Sequence, residues 1–167
     1  MINPKANDVL RVANFFLDKA REDNIKDISN LKINKLAYIS YGFCLAYNIK
    51  LFNDAIEAWH GGAVVPILYH VFKKYGADPI KEHASITNFQ NDIISYMTYP
   101  RFHFAPKEEK DCILQAVWNT YKDVSALELR DITRSEGTPW ANTKINSNIA
   151  DEDIKKYYVN FINEKFS

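Results

Sequence analysis

The sequence predicts a mainly α-helical fold: one domain built as a bundle of about five or six helices around a buried central helix, with a small two-stranded element. Three observations carry this. Apolar residues recur at three- and four-residue spacing over several separate stretches. Proline, serine and glycine stand where helices would begin and end. One stretch, residues 29–48, is apolar nearly all round in its middle, broken by Ser40 and Gly42, and so belongs in the centre.

In order along the chain, Pro4 suits a helix's first turn, where its missing N–H costs nothing. From there to about Asp23, Val9, Val12, Ala13, Phe16, Leu17 and Ala20 form one face, and Asp8, Arg11, Asp18 and Arg21 the other. Ser29 is placed to cap the central helix, which runs to about Asn48. Gly42 costs that helix roughly 1 kcal/mol relative to Ala, so a neighbouring backbone packed close against it is expected. Residues 48–62 read as a turn followed by an extended stretch ending in Gly61-Gly62, where the two-stranded element would form. Val64 to Tyr75 returns to helical spacing, with Gly76 in the position of a left-handed C-cap after Lys73 and Lys74.

Residues 77–105 carry the weakest pattern. Ile86 to Met97 fits a short helix or edge strands, and Thr98 to Phe104 an irregular segment; the stretch as a whole is where a partner-specific insertion is expected. Pro106 opens a strong helix with Glu108, Glu109 and Asp111 near its start, followed by Ile113, Val117, Trp118 and Tyr121. Ser125 and Glu128 form a capping box for a short helix through about Thr133. Residues 135–150 make a loop around Pro139-Trp140, and a last helix spans roughly Asp151 to Lys165.

Composition narrows the function classes. A chain of 167 residues, 47% hydrophobic with five Gly and six Pro, builds one core without staples and is neither disordered nor linker-rich. The 21 basic and 21 acidic residues balance, and the nets over residues 1–50, 51–105 and 106–167 are +3, −1 and −2. No segment concentrates the basic field of a nucleic-acid binder. Cys44 and Cys112, 68 positions apart, form neither a disulfide scaffold nor a zinc-ligand pattern. The most apolar stretch, Leu36 to Tyr47, is well short of the ~18–20 residues of a membrane span. The first residues lack a basic segment followed by an apolar run, so a cytoplasmic setting is expected.

Catalytic signatures are thin. His60, His70, His83 and His103 match none of the usual metal-ligand spacings, and neither a phosphate-cradling glycine pattern nor a nucleophile elbow occurs, so no metal, cofactor or catalytic residue is assigned. Two stretches are more particular. One runs from Glu57 through Trp59, His60, Gly62, Val64 and Tyr69 to Gly76; the other from Trp118 and Tyr121 through Leu129, Thr133, Arg134 and Glu136 to Pro139-Trp140. Each sets a tryptophan beside turn residues and a few polar side chains, as a binding surface would. A core role fits as well, with Trp59 and Trp140 plugging the bundle and their N–H groups bonded to carbonyls.

Over roughly residues 9–161 the chain resembles the Panacea domain family, the SocA-like, phage-associated antitoxins. The resemblance is carried by Lys35-Leu36 and Tyr38 leading to Gly42, then Glu57-Ala58-Trp59 with Gly62 and Val64, then Tyr69, Tyr75-Gly76, Val117-Trp118 and Tyr121. Its most telling part is Leu129, Thr133, Glu136 and Pro139-Trp140. Two departures stand out. Members often have Gly-Pro-Val where this chain reads Gly62-Ala63-Val64, and usually Thr-His where it reads Thr133-Arg134. A guanidinium cannot accept a proton as imidazole does, so Arg134 fits a donor that organises its loop.

The resemblance implies a single Panacea-like domain over residues 1–167 and a non-enzymatic antitoxin that binds and neutralises a cognate protein toxin of a bacterial or phage toxin–antitoxin system. The alternative it implies is a proteolytic adaptor handing the toxin to a Clp protease. An enzyme that inactivates a toxin or its product would need Glu57, His60, Thr133 and Glu136 brought together. Partner-binding candidates are Trp59, His60, Tyr69, Arg134 and Trp140, since aromatic and arginine anchors dominate interface energetics. Glu57, Gly62, Val64, Gly76, Trp118, Tyr121, Leu129, Thr133, Glu136 and Pro139 are expected to be structural. The 23 aromatics would serve a homo-oligomer as readily as a toxin interface.

Overall fold

The structure, a computed structural model, describes residues 8–90, 93–98 and 109–166. Among the described residues six helices form a bundle: α1 Asp8–Glu22, α2 Asn30–Ala46, α3 Pro66–Phe72, α4 Glu109–Tyr121, α5 Ala126–Arg134 and α6 Asp151–Phe166. Two antiparallel hairpins accompany them, β1 Glu57–Trp59 with β2 Gly62–Val64, and β3 Ser85–Gln90 with β4 Ile93–Thr98. The mainly helical bundle with a small two-stranded sheet is the architecture the sequence predicts.

α2 is the centre. Fourteen consecutive or near-consecutive positions from Asn30 to Leu45 are buried, and α1, α3, α4, α5, α6 and β2 all pack on it. Ser29 caps its start by accepting a hydrogen bond from the Lys32 N–H at 3.3 Å. The core follows its length: Phe16, Leu36, Tyr38, Phe52, Leu68, Trp118 and Leu129 are fully enclosed or nearly so. Gly42 is tolerated because α6 leaves no room for more. A Cβ there would fall within the Tyr158 ring, so the close neighbour is an aromatic side chain and not the expected backbone.

The helix expected over residues 64–75 is shorter and arrives in two parts. Val64 closes β2, Pro66 begins α3, and Lys73–Tyr75 tightens into a 3₁₀ turn. Gly76 follows at φ +57° and ψ −123°, a positive-φ cap outside the left-handed helical well that was anticipated. Of the stretch 86–97, ambiguous between helix and strand, residues 86–90 and 93–97 are strand, registered from Ser85 opposite Thr98 to Gln90 opposite Ile93. The turn that Pro106 was expected to start, most of the irregular stretch 98–104 and the first-turn role of Pro4 lie outside the described residues. Ser125 and Glu128 make both bonds of the capping box at the start of α5.

The β1–β2 hairpin turns through His60-Gly61, pairing Glu57 with Val64, Ala58 with Ala63 and Trp59 with Gly62. The 135–150 loop is stitched to the outer edge of β1. The Ala58 N–H donates to the Ser147 carbonyl at 2.9 Å, the Asn146 N–H to the Ala58 carbonyl at 2.6 Å, and the Ile149 N–H to the Ile56 carbonyl at 2.8 Å. This stitching carries Pro139-Trp140 back over the hairpin. No described helix is long and apolar enough to cross a membrane.

Candidate functional site

The two sequence stretches meet at the hairpin end of α2. The Trp140 indole N–H donates to the Trp59 carbonyl at 2.7 Å, bridging 81 positions. The Trp59 N–H in turn donates to the Glu57 carboxylate at 2.7 Å, so its partner is an acid and not the carbonyl expected of a core tryptophan. Tyr69, on α3, meets Trp59 edge to face with centroids 5.1 Å apart, and His70 extends the aromatic cluster at 5.4 Å from Tyr69. Arg134, the last residue of α5, stacks its guanidinium 4.9 Å from the Trp140 ring centre. The contact Arg134 makes with the loop is this stacking on an indole face, where a hydrogen-bond donor was expected.

Beneath this layer, α2 supplies polar groups that an apolar pattern conceals. Lys35 is fully buried and donates from Nζ to the Ala63 carbonyl at 2.7 Å. Burial, and then the nearby guanidiniums of Arg134 and Arg130, lower its ammonium to about 7. Gly62 is required twice over: its φ is +109°, and a Cβ would sit 2.7 Å from Lys35 Nζ and 3.4 Å from Arg134 Cγ. Asn34 accepts from the Val65 N–H at 3.0 Å and donates to the Asn30 side chain at 2.9 Å, while Asn30 donates to the Tyr69 carbonyl at 3.0 Å. These amides hold the start of α3 against α2.

Of the named candidates, Trp59, Tyr69, Arg134 and Trp140 share this surface and are each partly exposed. His60 is exposed on the hairpin turn. Glu57, Gly62 and Val64 form the hairpin; Leu129, Thr133 and Pro139 are buried beneath α5 and its loop; Gly76 lines the adjoining cleft. Trp118 belongs elsewhere, at the opposite side of α2, where its N–H donates to Asp23 at 2.8 Å. Tyr121 lies near Trp118 on α4 and faces a groove with Phe43 and Phe161.

Of the four residues of the enzyme reading, Thr133 and Glu57 have other engagements, and His60 and Glu136 are exposed. The Thr133 hydroxyl donates back to the helix carbonyls of Leu129 and Arg130, Glu57 holds Trp59, and Glu136 is exposed on the loop. Among the described residues no group of three or more His, Cys, Asp and Glu is placed to hold a metal ion. Sequence reasoning missed Lys35, Asn30 and Asn34 as parts of this region. Their signal was there to find, since four polar residues from Asn30 to Lys35 interrupt a helix otherwise apolar all round.

The hairpin end of α2 thus fixes two tryptophans and an arginine over a buried lysine, and comparison with known proteins supplies the family. The chain belongs to the Antitoxin SocA-like, Panacea domain family, whose profile matches residues 33–141. Among its relatives is Antitoxin SocA of Caulobacter vibrioides (strain NA1000 / CB15N), 32% identical over 141 residues, covering 83% of this chain and 71% of that protein. The matched span begins in α2 and ends just past Trp140, so it contains the whole hairpin-end cluster. No solved structure matches.

Proposed function

We propose that this protein neutralises a cognate protein toxin by binding it, without catalysis, through the hairpin end of α2, and that it does so in the cytoplasm of a bacterium. The observation that carries this is the cluster of Trp59, Tyr69, Arg134 and Trp140, each partly exposed and locked by a fixed contact. Rings and a guanidinium already held in place lose little conformational freedom on binding, which is what makes interface anchors effective. Antitoxin family membership supplies the class of partner.

The test is a co-expression rescue in bacteria with the neighbouring gene as the toxin, followed by sizing of the purified mixture. Rescue with a stable complex is expected, and Trp59→Ala with Trp140→Ala should abolish both while the helical spectrum persists. Rescue accompanied by a shortened toxin half-life and no stable complex would replace masking with delivery to a Clp protease. Rescue by far less than one equivalent of protein would point to catalysis. A toxin that kills equally with and without this protein would overturn the proposal.

A further inference from the structure

Beside the tryptophan cluster lies a cleft of about 430 Å³ between the start of α2, the hairpin turn and the end of α3. Trp59 and Tyr69 form its aromatic wall, and Asn30 and Asn34 lie at its floor. The floor amides are already in use: the side-chain N and O of Asn34 and of Asn30 each make a hydrogen bond, two of which tie α2 to Val65 and Tyr69. The Trp59 N–H is spent on Glu57. What the cleft offers an occupant is therefore mainly apolar surface, with one cationic side chain, Lys73, in its lining. Lys73 is exposed and makes no ion pair among the described residues, whereas its neighbour Lys74 is paired with Glu82 at 3.4 Å.

We propose that this cleft takes a large apolar side chain of the toxin, aromatic or aliphatic, with a carboxylate of the same segment placed against Lys73. This rests on the toxin-binding reading and specifies its chemistry. The volume falls in the about 300–1,000 Å³ range of binding pockets and exceeds what one large side chain needs. A free small molecule would be oriented by few polar groups, since the floor amides already serve the contact between α2 and α3. A side chain of a protein needs none, because the rest of the interface orients it. The lysine beside the apolar wall then selects an acidic neighbour and steers encounter.

Gly61 lines the cleft, has no positive φ, and a Cβ there meets nothing within 4 Å, so it accepts a side chain that fills the space without strain. The experiment measures affinity of the purified full-length protein for the product of the neighbouring gene, comparing wild type with Gly61→Leu, Lys73→Glu and Lys74→Glu. Melting temperature serves as the folding control. Gly61→Leu and Lys73→Glu should each weaken binding about tenfold or more, and Lys74→Glu, the same charge change at the neighbouring residue, by less than about threefold. Reversing a partner acid to lysine should restore binding to Lys73→Glu. Wild-type affinity in all three variants would overturn the cleft assignment and leave toxin binding standing. Equal losses in both lysine variants with none in Gly61→Leu would reduce the effect to long-range charge and also overturn it. A wild-type protein that neither binds nor rescues would end both readings.

Discussion

Two lysines on α2, three residues apart and both fully buried, divide the molecule into regions of opposite character. Lys32 meets the Asp27 carboxylate at 2.8 and 3.0 Å and the Lys122 carbonyl at 2.7 Å. Close by, Asp23 receives the Trp118 N–H at 2.8 Å and the Lys122 ammonium at 3.1 Å, which together hold its carboxyl below the usual range. On that side Lys32 and Asp23 each have an opposite charge as partner. Lys35 has a single carbonyl and two guanidiniums for neighbours. One region spends its polar groups on holding the bundle together. The other carries an unbalanced positive interior beneath exposed rings, a cost to stability of the kind found where a surface is shaped for something else.

The largest effect should come from breaking the balanced side. Trp118 is completely enclosed, packs 6.2 Å from Phe16, and anchors Asp23. Trp118→Ala leaves a cavity the size of an indole and should lower unfolding free energy by about 3–5 kcal/mol in urea titration. Trp118→Phe keeps most of the volume and should lose markedly less. A loss below about 1 kcal/mol for the alanine variant would show that the region collapses around the gap and is no anchor.

Lys35 sharpens the contrast through pH. Its folded ammonium titrates at about 7 and its unfolded one at 10.5. Between those values the unfolded chain holds a proton the folded chain has released, so stability rises with pH there; below about 7 both hold it and the penalty is constant. The slope approaches about 1.4 kcal/mol per pH unit. Burial pushes the hydroxyls of Tyr38, Tyr41 and Tyr158 upward, and these lose stability only where unfolded tyrosine ionises. The buried Cys44 thiol, pushed up from 9.0 to about 12, opposes the rise only as pH nears 9, so the lysine dominates from pH 7 to 9. Wild type should gain about 2 kcal/mol across that window, and Lys35→Met should be flat to about pH 8, fall slightly by pH 9, and be more stable at pH 7. An equal slope in both proteins would remove Lys35 from the account.

How much of this was legible depended on whether the signal was local. The Ser125–Glu128 cap, the Ser29 cap and the apolar faces of α1 and α2 are written within a few residues, and the helices follow them. The 86–97 stretch stayed ambiguous because a short apolar run satisfies either period until its partner strand is known. Gly42 announced a close approach without saying that a ring from residue 158 makes it. The site shows the same limit: Trp59 and Trp140 stand out by type, but the hydrogen bond between them spans 81 positions. The burial of Lys35 is set by α5 and the hairpin, neither of which lies near it in sequence.

Arg134 tests whether the unbalanced region is tuned as a unit, and here the stability change should be the smallest. Its guanidinium gains from the Trp140 face, a contact of about 1 kcal/mol at a partly exposed position. The same charge opposes protonation of Lys35. Arg134→Ala removes both, so the two terms offset and the melting temperature at pH 7 should move little. The informative quantity is the pH at which the stability rise begins. With one guanidinium gone, Lys35 holds its proton to higher pH in the folded state, and that onset should shift upward from about 7. Double substitution with Lys35→Met should then expose the stacking loss alone, because the opposing term has no lysine left to act on. An unmoved onset, with Arg134→Ala costing the same in both backgrounds, would mean that the arginine serves the loop and leaves the lysine untouched.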